Sequence, residues 1–490
     1  MTTRGISTGV MLLLLGASAQ SRGQDASGPY PRFKDGVAMP PPEAVAGAPF
    51  DVVKAFAAPT FDQNAAPLYL DALYEFGIEM RSCYPEGIEN EARFQAISAR
   101  GKRITPAWDA FNNDPNSVPA ADLDAVLAEY KEGFRKLAEA QKRELCVFQT
   151  GVGFTALLPH AQTARQVARM AQIKIKREID KGEIDAAIAD VKTVLRLSRD
   201  MQPRGYLISQ LVIGAMTTVA GKQMVEPILA APGLSAAQCD KLMAVLSEFE
   251  AKSVDPYAES LAMEYVGVRV TLWDLILHQA KLAKSMYLKP GASVVKTLIE
   301  PMEAPAFRKA EGAKPEVFPN DIDEKIARTT PDELNQVVNR INTYYDALLA
   351  LKGRTRLEQV EKMPKPETFF KGDDPLTVIV RAVQPSKENI APIFGRLEAN
   401  MHAAKALTAI RRWQLTHNGA SPTDLDAASK AAGLKAAPLD PFDGKPLRLV
   451  TIDNQPVVYS IGKDGKDGGG KIDSDHDRNP GDLTYRLAAK

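Results

Sequence analysis

From about residue 64 onward, apolar positions recur every three to four residues, the spacing of helices that hide one face. Asn64 stands where it can cap a helix carrying Leu68, Leu70, Leu73 and Phe76. A second helix is predicted from about Ala121 to Glu144, with Leu123, Val126, Leu127, Tyr130, Phe134 and Leu137 on its stripe. The clearest pair follows Pro159. Val167, Ala171, Ile175 and Ile179 share one face, Asp180-Lys181-Gly182 turns the chain, and Ile184, Ala187, Ile188, Val191 and Leu195 share the next. Residues 205–230 form a more apolar helix, expected near the centre of a bundle. Ser235 with Gln238, and Thr330-Pro331-Asp332-Glu333, spell capping boxes that open later helices. Residues 256–288 read as one long helix, and another runs from near Pro392 to His417.

The period then drops to two. Leu447-Arg448-Leu449-Val450 and Val457-Val458-Tyr459-Ser460 are strand candidates joined through the turn-favouring Asp453-Asn454, and Leu483–Leu487 alternates as a third. The expected fold is mainly α: an irregular helical bundle or hairpin array, then a small α+β module of one long helix and a two- or three-stranded antiparallel sheet. The expected boundaries are a signal peptide at 1–19, a flexible Pro/Ala/Gly-rich tail at 20–60, a helical domain at 61–352, a charged, proline-bearing linker at 353–390 and the module at 391–490. Residues 289–320 lose periodicity and are expected as loop.

The start of the chain reads as an address. Arg4 precedes the short apolar run Val10–Leu15, and Ala17-Ser18-Ala19 gives a small-x-small cleavage site. The run is too short to span a bilayer, and no later stretch is long and apolar enough. The expected location is periplasmic or extracellular. With 61 basic and 61 acidic side chains, no net field steers nucleic acid or an anionic membrane to the protein. Three cysteines, Cys83, Cys146 and Cys239, are too few for a disulfide scaffold; Cys83 could pair with Cys146, or all three could be buried thiols.

Several enzyme-like patterns fail on context. Gly151-Val152-Gly153 fits a loose dinucleotide fingerprint, but Pro159 follows where a phosphate-binding helix should run. Gly465–Ile472 falls one residue short of a P-loop, with Ile472 in place of the magnesium-binding hydroxyl and Asp464 and Asp467 repelling phosphate. Ser293 and Lys296 have an acyl-transfer spacing without the companion motif. The five histidines are scattered, without paired metal spacing.

What survives is the C-terminal loop. Asp464, Asp467, Asp473, Asp475, Asp477 and Asp482 stand among Gly462, Gly465, Gly468, Gly469 and Gly470. Glycines let backbone carbonyls turn inward, and calcium takes six to eight oxygens from carboxylates and carbonyls. Asp473-x-Asp475-x-Asp477 has the one-three-five spacing of a calcium loop. It is not an EF-hand, since Arg478 occupies the glycine position and Thr484 that of the bidentate glutamate.

The order of motifs after the long helix carries a resemblance. His417-Asn418-Gly419-Ala420-Ser421-Pro422, Asp440-Pro441-Phe442-Asp443-Gly444-Lys445-Pro446, then Tyr459-Ser460-Ile461-Gly462-Lys463-Asp464-Gly465 with Gly468-Gly469 resemble the soluble part of the type II secretion major pseudopilin over residues 391–487. The resemblance implies a structural calcium ion held by the Ile461 carbonyl, by Asp464 and by a second carboxylate near Asp473, with Asp482 before Leu483 as the closing acid. The pseudopilin N-terminus is missing: Gly5 is followed by Ile6, and Val10 stands where the family has glutamate. Gly182–Ile188 resembles the middle of a tetratricopeptide repeat without a second copy, and residues 64–230 are similar to exported bacterial helical proteins with no assigned activity. The expected function is an exported, non-enzymatic scaffold that meets a protein partner, with calcium bound in the module. The alternatives are an extracytoplasmic hydrolase using carboxylates of the helical domain, or a peripheral secretion-system component.

Overall fold

The computed structural model describes residues 39–77, 91–148, 151–153, 158–280, 283, 288, 292–299, 321–383, 390–471 and 481–487. The signal peptide, Cys83 and Asp473, Asp475 and Asp477 lie outside these residues.

The structure is mainly helical with a small antiparallel sheet near the C-terminus. Helix α1 (Ala66–Phe76) begins beside Asn64, whose Oδ1 accepts the N–H groups of Ala66 (3.1 Å) and Val147 (3.0 Å) while its Nδ2 donates to Val147 O (2.8 Å). One buried amide therefore starts the helix and ties down the chain after the next hairpin. Helix α2 (Glu91–Asn113) was not expected; Gly101 and Pro106 interrupt its sequence signal. Helix α3 (Ala120–Ala140) packs along α1, with Phe76 stacked on Tyr130 at 5.2 Å. The approach is close at Gly133, where a Cβ would lie 2.4 Å from the Phe76 ring.

Helices α4 (Pro159–Asp180) and α5 (Ile184–Asp200) form the expected hairpin. Gly182 takes φ +77°, and the N–H of Glu183 reaches back to Glu178 O at 2.8 Å, closing the helix end. Helix α6 (Leu207–Thr218) runs through a π-helical turn, Val219–Met224, into Val225–Ala230, and its inner face is buried. Helices α7 (Ala236–Lys252), α8 (Pro256–Leu277) and α9 (Pro331–Leu349) follow. Both expected capping boxes form, at Ser235–Gln238 and Thr330–Glu333. Helix α8 ends at Leu277, and the expected continuation toward 288 is broken at His278, with the described residues 279, 280 and 283 helical again.

The long helix α10 (Ile390–Thr416) joins the two parts of the molecule. On one side it lies against α6, where a Cβ on Gly214 would stand 2.0 Å from Leu397 Cδ1 and one on Gly221 would stand 3.0 Å from Met401 Sδ. On another, a Cβ on Gly395 would stand 2.8 Å from the Phe442 ring. The sheet, ordered β1 (Arg448–Ile452), β2 (Gln455–Ser460), β3 (Leu483–Arg486), docks on the same helix; Tyr485 donates to Asn400 Oδ1 at 2.9 Å. Asp453 and Asn454 both take positive φ, +52° and +59°, as a two-residue hairpin of right-handed twist demands. One continuous hydrophobic cluster extends from Ala44 through the helices to Val458 and Tyr485.

Two segments expected to be loose are packed. Within 39–60, Phe56 is 1% exposed beneath the Arg204 guanidinium (4.6 Å), and Ala46 O and Gly47 O accept from Arg269 and Asn342. Within 353–390, helices Arg356–Lys362, Pro366–Phe369 and Pro375–Val383 form, and the N–H groups of Arg356 and Leu357 donate to Pro441 O and Phe442 O. In 289–320, the described part includes a helix, Val294–Ile299.

Replacing a helix-interior glycine by alanine ordinarily stabilises by about 1 kcal/mol. At Gly133 the Phe76 ring occupies the space, so Gly133→Ala is expected to destabilise by about 1–3 kcal/mol in urea unfolding. A stabilised variant would contradict this packing.

Candidate functional site

The C-terminal module is organised by Asp440, which stands in the Asp440–Pro446 motif but for which the sequence pattern implies no role of its own. Asp440 is 0% exposed. Its Oδ1 accepts from Phe442 N (3.0 Å) and Ser460 Oγ (2.8 Å), and its Oδ2 from Ile461 N (2.9 Å) and Arg448 Nη1 (2.7 Å). The turn closes on itself as Gly444 N donates to Asp440 O at 2.8 Å, with Gly444 at φ +74°. Asp443 also pairs with Arg448. Burial alone would lower the Arg448 guanidinium, but the bond and charge of Asp443, with Asp440 and Asp467 near it, hold it above its ordinary value.

The expected calcium ligands fall into different settings. Ile461 is buried, and its N–H is committed to Asp440. Asp464 is exposed and caps its own turn, accepting Lys466 N at 3.1 Å. Asp467 Oδ1 accepts from Gly469 N and from the Tyr459 hydroxyl, both at 3.0 Å. The Gly469 amide leads in holding the Asp467 carboxyl below its usual range, while burial and then Asp467 push Tyr459 up to about 12. Asp482 is 2% exposed and accepts Gly468 N (3.2 Å) and Gly470 N (2.7 Å). Hence the near-P-loop does present its glycine amides to an anion, and the anion is this protein's own Asp482. Among the described residues, no three His, Cys, Asp or Glu side chains converge as they would around one ion. The described aspartates fit a loop fastened by carboxylate–amide bonds, with Asp464 exposed to solvent.

A second feature is a cleft of about 520 Å³ between the helical body and the module, walled by α6, α7, α10, helix Arg356–Lys362 and the segment 439–444. Most of its charged groups are paired, while Asp255 caps α8 by accepting Tyr257 N at 3.0 Å. Glu250 meets His402 Nε2 at 3.1 Å and also Lys405. His402 Nδ1 faces Leu439 O at 2.5 Å, so both ring nitrogens face acceptors, which calls for the imidazolium. Burial opposes that charge, but Glu250 outweighs it and raises His402. The His402 hydrogen bond leads in drawing Glu250 down to about 2. Arg356 forms a two-pronged pair with Glu398 and a bond to Gln359 Oε1 at 2.7 Å.

The acids with raised values lie elsewhere. Lys174 Nζ on α4 reaches Glu178 Oε1 (3.0 Å) and Asp190 Oδ2 (2.5 Å) on α5. Burial, then the charge of Asp190, raises Glu178 to about 7 against the pull of Lys174, and burial also raises Asp190. His160 is stacked on Phe148 at 4.6 Å, and burial lowers it to about 4. Cys146 and Cys239 are buried free thiols. At Gly151–Gly153, the Gly153 amide donates to the Tyr206 hydroxyl at 3.0 Å rather than opening toward a ligand.

No protein-family model, no curated protein and no solved structure matches this chain. The likeness of residues 391–487 to a pseudopilin therefore rests on its motifs alone. Among the described residues, no helix is long and apolar enough to cross a membrane.

Asp440→Ala should cost about 2–4 kcal/mol, because it leaves the Phe442 and Ile461 N–H groups and the buried Ser460 hydroxyl without their acceptor and removes one partner of Arg448, which keeps Asp443. A loss under about 1 kcal/mol in denaturant unfolding would deny Asp440 its organising role. Glu178 has an ordinary value of 4.5 and a folded value of about 7, so the native state keeps a proton that the unfolded chain releases between them. That contribution is complete below pH 4.5 and lost as pH rises through about 7. Glu178→Gln should flatten this limb and stabilise the protein at pH 8 by about 1 kcal/mol after allowance for solvent screening. Unfolding curves of the two proteins that stay parallel across pH 5–8 would refute it.

Proposed function

We propose that this chain is an exported, non-enzymatic helical scaffold whose C-terminal, pseudopilin-like module presents a calcium-stabilised loop to a protein partner. The observation that carries this reading is the docking of the module through α10: the sheet, the Asp440 turn and the helical body share one helix and one core. Such a frame would hold the loop rigidly outward.

The state of the charged groups supports a structural role. A carboxylate drawn to about 2, as Glu250 is, remains ionised at neutral pH and cannot serve as a general acid there. The hydrolase alternative would draw on the Glu178–Asp190 pair, where one acid stands at about 7. That pair does not line the cleft, which favours the scaffold.

Calcium enters through Asp464. Its exposure and its position beside Gly465, at φ +68°, leave the carboxylate open to a hard cation, which Asp473, Asp475 and Asp477 would have to help enclose. An ion that binds only the folded loop stabilises the protein by mass action, about 2.7 kcal/mol at a hundredfold excess over Kd. The melting temperature should therefore rise by several degrees in millimolar calcium, return with chelator, and fail to respond in Asp464→Ala. A transition that ignores both calcium and chelator removes the calcium part of the proposal. Retention of a partner by the wild-type module but not by Asp464→Ala tests the contact.

A further inference from the structure

The cleft between body and module contains a polar group whose bonding is incomplete. Gln210, on α6, is 1% exposed. Its Nε2 donates to Gln202 O at 2.7 Å and to Gly205 O at 3.5 Å. Both partners are carbonyls, so the orientation of the amide is fixed: the nitrogen must point to them and the oxygen to the other side. That oxygen, Oε1, is buried without a hydrogen-bond partner among the described residues, and so is Ser253 Oγ on the same cleft. A buried amide oxygen left in this state is costly, and native structures seldom keep one without a reason.

The surroundings define what would complete it. Ile213, Leu246, Phe249, Phe394, Leu397 and Met401 make most of the lining apolar. The charges at its edge have partners within the protein: Glu250 is shared by His402 and Lys405, Arg356 pairs with Glu398, Arg354 with Glu358 and Asp440 with Arg448, while Asp255 accepts Tyr257 N. A charged guest would lose its hydration and have to compete with these internal partners for any counter-charge. A volume of about 520 Å³ lies within the range of small-molecule sites. We propose that this cleft binds a neutral small molecule, with an aliphatic or aromatic body against Phe249, Phe394 and Leu397 and an N–H or O–H donated to Gln210 Oε1.

Heptanamide, methyl hexanoate and heptanoate separate the elements of the proposal, because they are alike in size and differ in donor and charge. Each would be titrated into the full chain and followed by saturation-transfer NMR and calorimetry. Heptanamide should bind, with methyl hexanoate, which has no donor, about five- to tenfold weaker, and heptanoate weaker still than heptanamide. Gln210→Met should bring the amide down to the level of the ester. Ser253→Phe, at a partly exposed position, should block all three by filling the cleft while leaving the Gln210 contacts in place. Far-UV circular dichroism and an unchanged melting transition would establish that both variants are folded. The proposal is overturned if heptanamide does not bind, if amide and ester bind equally, if heptanoate binds tightest, or if folded Ser253→Phe binds heptanamide as the wild type does.

Discussion

The architecture depends on how closely other elements can approach α10. Gly214 of α6 and Gly221 of the π-helical turn after it stand where any side chain would collide with Leu397 or crowd Met401, and Gly395 leaves room for the Phe442 ring. Ala391, Ala399, Ala403, Ala404, Ala406 and Ala409 are buried along the same helix. Small residues on several faces allow packing on several faces, and a helix enclosed in this way need not show a narrow apolar stripe. The helical body and the sheet can then use one helix as common core. Larger residues at these contacts would separate the layers and open voids that cost more than the added side chains return.

A second principle governs the module, where few residues make a small core. Its irregular segments are held by carboxylates that accept backbone N–H groups: Asp440 from Phe442 and Ile461, Asp467 from Gly469, Asp482 from Gly468 and Gly470. Charge-assisted bonds of this kind are stronger than neutral ones, and those of Asp440 and Asp482 are buried away from competing water. Glycine matters here for two reasons. Gly469 and Gly470 take positive φ, and Gly468 approaches Asp482 so closely that a Cβ would lie 2.9 Å from its Oδ2. Aspartate and glycine thus act together as an internal fastening, and a cation at the outer Asp464 would add to that fastening rather than create it.

Features set by short-range chemistry were legible. The α4–α5 hairpin, the Ser235 and Thr330 capping boxes and the Asp453-Asn454 turn each depend on residues a few positions apart. The same chemistry was present and overlooked at Thr355–Glu358, which also forms a capping box, because the surrounding charges and prolines suggested a linker. Arg356 in that segment is buried, with its guanidinium on Glu398 and near the Tyr257 and Phe394 rings. Nothing local distinguishes it from the exposed Arg354 two residues earlier.

The candidate site divides along the same line. The glycine–aspartate loop and its hairpin are recognisable because spacing along the chain carries them. Asp440 looks like any turn aspartate until the fold brings Ser460, Ile461 and Arg448 around it. Gln210, Glu250 and His402 meet in one cleft from positions nearly two hundred residues apart. By itself, the sequence determined those helices, strands and turns whose period and caps are unbroken, such as the α4–α5 hairpin and the Asp453-Asn454 turn, since these are local properties. Only the tertiary structure decided which charges are compensated, which acids keep a proton and which amide oxygen is left unbonded, because burial and partnership arise where distant segments pack together.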